Sequence, residues 1–155
     1  MSNGTNVRKR SGSIESLDLN KMHKIVDEAC KDLAGVSASQ VEINSGIQFY
    51  DGITTAEIQE ILIKSASDLI ELESPNYQFV AARLLLFGVR KKLWGRIHEA
   101  PSLGNHITKC IREGVYDPHF TSKYTDQEID ELDSYIDHDR DYLFTYAGLR
   151  QVTDK

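Results

Sequence analysis

The chain has 155 residues, with 40% hydrophobic and 27% charged residues, a composition that supports a soluble core without disulfides or metals and excludes a disordered chain. A net charge of -6 and a pI near 5.3 argue against nucleic-acid binding as the main task, since a polyanion selects a basic surface. The charge is uneven: Arg8-Lys9-Arg10 and Arg90-Lys91-Lys92 are basic, whereas residues 126–141 are acidic, so a local anion site is compatible with the acidic whole.

The opening reads as a β-hairpin, with Asn6–Arg10 as first strand, Ser11-Gly12-Ser13 as turn and Ile14–Leu17 as second strand. Met22, Ile25, Val26, Ala29, Cys30 and Leu33 then fall on one face of a helix over Leu19–Ala34, capped by Asp18 and stopped by Gly35. Ser37 with Gln40 predicts a capping box opening a weak helix to about Phe49. Asp51-Gly52 is a turn. Thr54 with Glu57 predicts a second capping box and a helix to about Leu72. Ser74-Pro75 starts a helix running to Trp94, which is apolar nearly all round over 79–89 and so forms the buried centre.

Residues 1–95 therefore read as one α+β unit, mainly helical, and 96–155 as a linker with further helices. Those are predicted near Ser102–Glu113 and from Thr125, whose partner Glu128 completes another capping box. Cys30 and Cys110 lie far apart without a CxxC pair, which excludes a zinc ribbon and reads as two reduced, buried thiols. There is no secretory leader and no apolar run long enough for a bilayer, so a cytoplasmic protein without a membrane partner is expected.

A nucleoside triphosphate needs several cations on its phosphates and a few acceptors for base and ribose. Lys9 and Arg10 before a glycine turn, Glu15, Asp18 and Lys21 after it, Thr55 at a helix start and Lys91 at a helix end offer that set. Spacing alone does not bring them together. Neither GxxxxGK[ST] nor GxGxxG occurs. His138 among Asp137, Asp139 and Asp141 does not make a metal site, because only Asp137 and Asp141 would share a helix face. Lys64 and Arg83 read as structural ion-pairing or snorkelling groups.

Val7-Arg8-Lys9-Arg10-Ser11-Gly12-Ser13 with Glu15 and Lys21 resembles the opening of the ATP-cone. Asp51–Thr55 with Ile63–Ala66, then Pro75–Leu84 with Arg90–Gly95, resemble its second and third blocks. Beyond it, Ile136–Asp141 and Phe144–Gly148 resemble the start of the catalytic domain of the class I aerobic ribonucleotide reductase large subunit.

The resemblance implies a four-helix bundle capped by a three-stranded sheet, of which the pattern gives two strands. It implies an allosteric region that binds ATP as activator and dATP as inhibitor of deoxyribonucleotide synthesis, with magnesium accompanying the phosphates. Lys9, Arg10 and Lys91 would contact phosphates or ribose. Val7, Glu15, Ser16, Leu17, Asp18 and Lys21 would frame the base, and Thr55, Gln59 and Phe87 would line the site.

Gln59 stands where relatives often carry histidine, Gly88 replaces a larger side chain, and Glu28 stands where some relatives have tryptophan. These departures bear on ATP/dATP discrimination or on the number of nucleotides bound. The family's catalytic cysteines have no counterpart, so the chain alone is expected to be inactive. It would be a fragment, an engineered truncation, or half of a split large subunit. Implied partners are the remainder of that subunit, the small radical-generating subunit, or another cone. The alternatives are a helical protein-interaction module and a stand-alone cone regulator.

Overall fold

A computed structural model describes residues 4–154. They divide into two compact units. One runs to Val89 and resumes at Tyr142; the other is Arg90–Asp141.

The first unit opens with strands β1 (Asn6–Arg8) and β2 (Ile14–Ser16), followed by helices α1 (Leu19–Cys30) and α2 (Ala38–Gly46). Strand β3 (Ile53–Thr54) leads directly into α3 (Thr55–Ser67), and α4 (Tyr77–Trp94) follows. The expected α+β, mainly helical class with a small sheet is what the chain adopts. The sheet order is β2-β1-β3, with β1 antiparallel to β2 and parallel to β3. The third strand is the one the pattern missed: two residues long, paired across 46 positions (Val7 to Ile53), it has no alternation to reveal it.

Both expected strands are shorter than read. The Lys9 N–H already bonds the Ser13 carbonyl at 2.9 Å, and Gly12 closes back on Lys9 with φ +84°, so the turn takes Lys9 and Arg10 out of the ladder. Helix α1 ends at Cys30 rather than Ala34, where Arg83 intervenes. Its Nη1 donates to the carbonyls of Ala29 at 3.2 Å and Lys31 at 2.6 Å, satisfying helix-end acceptors. Arg83 is thus structural, and its guanidinium also lies over the Tyr142 ring.

Two start signals act differently from the reading. Ser37 makes no side-chain cap. Instead the buried Tyr77 hydroxyl accepts the Ser37 N–H at 2.9 Å and donates to Gln40 Oε1 at 2.8 Å, so a distant phenol replaces the capping box. Ser74 does not cap α4 either; its hydroxyl donates back to the Leu69 carbonyl at 3.2 Å, and α4 begins at Tyr77. By contrast, Thr54 and Glu57 form the expected box at α3.

Helix α4 supplies the centre, as its all-round apolar character requires. Val80, Ala81, Leu84 and Phe87 are buried, as are Val26 and Ala29 of α1, Val41 of α2, Leu62, Ile63 and Ala66 of α3, and Ile53 of β3. Burying Phe87 and Leu84 contributes ~1.5–3 kcal/mol each. Helix α8 (Tyr146–Thr153) also belongs to this unit: Arg150 pairs with Glu60 at 2.9 Å, and Phe87 meets the Tyr142 ring edge-on at 6.4 Å.

The second unit holds the end of α4, then α5 (Leu103–Arg112), the short α6 (Phe120–Lys123), α7 (Asp126–Ser134), and most of a 3-10 turn at His138–Leu143. α5 matches its expected range, and α7 starts where expected, with Thr125 and Glu128 forming its box. Arg90 fastens the unit internally: its Nη2 donates to the His138 carbonyl at 2.7 Å and Asp141 Oδ2 at 2.8 Å. Among the described residues no helix is long and apolar enough to cross a membrane. Cys30 and Cys110 are both free.

Candidate nucleotide site

The hairpin places its charges by register. Val7 is buried at the centre of β1, opposite Glu15 on β2 and Ile53 on β3. Lys9, Arg10, Glu15 and Ser16 of the hairpin are exposed. Lys9 Nζ sits 2.6 Å from Glu15 Oε2, with both side chains about half exposed (43% and 53%). Leu17 extends the ladder by one bond, its N–H donating to the Thr5 carbonyl at 2.8 Å. Asp18 then caps α1, accepting the Lys21 N–H at 3.1 Å. Asp18 is therefore already committed to a backbone donor, and Lys21 is held one turn into the helix.

The parallel pair ties this hairpin to the start of α3. Arg8 is paired with Thr54, and Thr55 is the first residue of the helix. The Asn6 N–H donates to Asp51 Oδ1 at 2.8 Å, and the Gly52 N–H to the Asn6 carbonyl at 2.8 Å, fixing the turn before β3. At the N-terminus of α3, Glu57 accepts from the Thr54 hydroxyl (2.7 Å), the Thr54 N–H (2.8 Å) and the Tyr50 hydroxyl (2.8 Å). These bonds, the Thr54 hydroxyl first, hold its carboxyl below the ordinary carboxylate value; the nearby Arg8 acts in the same direction. An anion at this helix end therefore meets a carboxylate already in place.

One turn on from Thr55, Gln59 reaches toward α4. Its Nε2 donates to the Leu84 carbonyl at 2.6 Å. Gly88 lies beside it: a Cβ there would stand 3.4 Å from Gln59 Cγ, in ordinary contact, so a larger side chain is what the space would not take. Phe87 is buried beside this point, and Lys91 lies exposed one helical turn after it, at the start of the second unit. The structure thus gathers Val7, Lys9, Glu15 and Ser16 on the hairpin, and joins the hairpin to Thr55 through the strand register. It joins Gln59 to the Leu84–Gly88 stretch. Glu28, also singled out, lies half-buried on α1. Among the described residues no group of three His, Cys, Asp or Glu could hold a metal ion.

Sequence reasoning missed the Tyr50–Glu57 bond and the Gln59–Leu84 bond. A glycine on the inner side of an otherwise large-residue helix is the mark that could have located the second.

A helical bundle under a glycine-tipped, cation-bearing hairpin that leads a mixed sheet defines a distinct domain class. Comparison with known proteins gives the class its family: the ATP cone domain matches residues 5–92, and the chain belongs to that family. The chain is also 48% identical over 149 residues to the Escherichia coli K12 ribonucleoside-diphosphate reductase 1 subunit alpha, covering 96% of this chain and 19% of that protein. The Haemophilus influenzae subunit alpha is 45% identical over 149 residues, covering 96% of this chain and 20% of the relative. The enterobacteria phage T4 subunit alpha is 43% identical over 152 residues, covering 97% and 20%. The chain spans about a fifth of the length of the curated relatives it matches.

Proposed function

We propose that this chain carries the allosteric activity-regulating region of a ribonucleoside-diphosphate reductase large subunit, with residues 1–95 as the nucleotide-binding cone and 96–155 as linker and first helices of the catalytic domain. ATP would activate and dATP inhibit. The observation that carries the reading is the fit of the cone family to residues 5–92, over which the hairpin cations stand beside the start of α3.

In this reading Lys9, Arg10 and Lys91 take the phosphates. Lys9 exchanges Glu15 for a phosphate oxygen, a change its half-exposed position permits at little cost. Val7, Glu15, Ser16, Leu17, Asp18 and Lys21 border the base and ribose, while Thr55, Gln59 and Phe87 close the inner side. Magnesium, where it accompanies the nucleotide, would be held chiefly by the phosphate oxygens and its own waters. The hairpin and β3 are hydrogen-bonded through β1, and β3 runs directly into α3, so a displacement of the hairpin would bear on α3. Ligand contact at the hairpin tip would thereby be passed to α3. Activation and inhibition then require ATP and dATP to favour different assemblies unequally. The partners would be the remainder of the large subunit, and the small subunit or a second cone, in the cytoplasm. This chain is not proposed to carry out reduction.

The second reading is a helical interaction module whose basic clusters bind no nucleotide. A cleft of about 420 Å³ lined by Leu17, Leu19, Met22, Glu42, Ile43 and Phe49, with Leu19 and Ile43 largely exposed, favours it. Calorimetric titration of the 155-residue chain with dATP, ATP and GTP separates the two. Micromolar dATP binding that disappears in Lys9→Ala and in Lys91→Ala supports the cone; no heat with any nucleotide leaves the interaction module.

A further inference from the structure

The chain leaves the first unit at Arg90 and comes back to it at Tyr142. The returning residues lie outside the stretch that the cone family matches, yet they touch the two helices that carry Thr55, Gln59 and Phe87. Tyr142 packs on α4: its ring meets that of Phe87 at 71° with centroids 6.4 Å apart, and the Arg83 guanidinium stands over it, 5.2 Å from its centroid. Arg150 of α8 reaches α3. Its Nη2 lies 2.9 Å from Oε2 of Glu60, the residue after Gln59, although 90 positions of chain separate the pair.

These contacts leave little slack. Arg83 and Phe87 stand one helical turn apart on one face of α4, and Tyr142 bridges them. Arg83 is committed elsewhere, its Nη1 donating to the carbonyls of Ala29 at 3.2 Å and Lys31 at 2.6 Å. Phe87 is 2% exposed, so in a close-packed interior it cannot turn without shifting the ring against it. Arg150 is held as well: its Nε donates to the Tyr146 hydroxyl at 3.2 Å, and its neighbour Leu149 is buried. The ion pair is the weaker of the two joints, because Glu60 is 62% exposed and a solvated pair is a poor clamp. Tyr142 carries the larger share.

We propose that Tyr142 and Arg150 are positioning residues of the nucleotide site, acting through Phe87 and α3. The inference rests on the cone reading above, in which Phe87, Thr55 and Gln59 line that site. With the returning segment docked, the nucleotide meets side chains already in place. With it detached, binding must also order Phe87 and α3, and affinity falls. By reciprocity the nucleotide strengthens the docking of the segment by the same factor. In the cone reading this segment belongs to the first helices of the catalytic domain, so the joint at Tyr142 is where occupancy of the site is felt by the part of the subunit that it regulates.

The test titrates the 155-residue chain and its variants with dATP by calorimetry, well below each thermal melt, with circular dichroism confirming that each is folded. Tyr142→Ala should weaken dATP binding about fivefold or more, and Arg150→Met about twofold. Tyr142→Phe, which keeps the ring, should bind as the wild type does. Hydrogen exchange supplies a readout that a merely structural role leaves unmoved. Saturating dATP should slow the amides of α8 more than those of α2, which belongs to the same unit but carries none of the proposed site residues.

A folded Tyr142→Ala chain that binds dATP as tightly as the wild type, or more tightly, overturns the inference and leaves the cone reading standing. Exchange slowed equally in α8 and α2 does the same. A wild-type chain that takes up no dATP overturns both. Should Tyr142→Ala not fold, Arg150→Met and the exchange comparison decide the matter.

Discussion

Lys9 and Glu15 face each other across the hairpin at 2.6 Å, on side chains that remain about half in water. Such exposed pairs contribute less than about 1 kcal/mol to folding. Lys9→Met should therefore leave the urea midpoint almost unchanged while weakening dATP binding by about tenfold or more, since a charge-assisted phosphate contact is lost. A large fall in stability would assign Lys9 a structural role instead.

The Tyr77 hydroxyl serves two partners that lie far from it in the chain. Tyr77→Phe removes the acceptor of the part-buried Ser37 N–H and the donor to Gln40. An unsatisfied buried donor costs about 1–3 kcal/mol. Denaturant unfolding should show that loss, and the Ser37 amide should exchange with solvent faster. An unchanged midpoint would mean that water replaces the phenol.

Thr54 caps α3 and also holds the Glu57 carboxyl in its ionised form. Thr54→Ala should lower stability by roughly 1 kcal/mol at neutral pH. The sign of the pH effect follows from the depressed folded-state value. The contribution of Glu57 is present above its ordinary value of 4.5 and lost as pH falls through the lower folded value. The gap between wild type and Thr54→Ala, measured by urea midpoints on an acid series, should therefore narrow below that range.

Gly88 interrupts the interior of α4 with the residue least suited to a helix. A Cβ there would meet Gln59 Cγ at 3.4 Å, an ordinary contact. Gly88→Ala should stabilise the fold by about 0.5–1 kcal/mol. A longer side chain such as Gly88→Leu should displace Gln59 from the Leu84 carbonyl, lower stability, and change nucleotide affinity if Gln59 lines the site. Thermal melts and dATP titration of the two variants check both halves.

Local pattern made most of the fold readable. The face of α1, the Thr54–Glu57 and Thr125–Glu128 boxes and the apolar run of α4 each depend on residues within a few positions of one another. What escaped depends on distance along the chain. β3 exists because Ile53 meets Val7. The Ser37 cap fails because Tyr77 arrives from 40 residues away, and α1 stops early because Arg83 reaches its last carbonyls. For the site, the residue types were legible in the hairpin. The link from Arg8 to Thr54, and the seat of Gln59 against Leu84, required the fold.

Because β1 precedes β2 and β3 in the chain yet lies between them, the sheet cannot be completed during synthesis until residue 53 has left the ribosome. Until then β1 has an open edge on one side. An affinity tag joined just ahead of Asn6 would be tethered to the central strand rather than to a loose margin. Fusions at that end should therefore disturb the sheet more than fusions following α8.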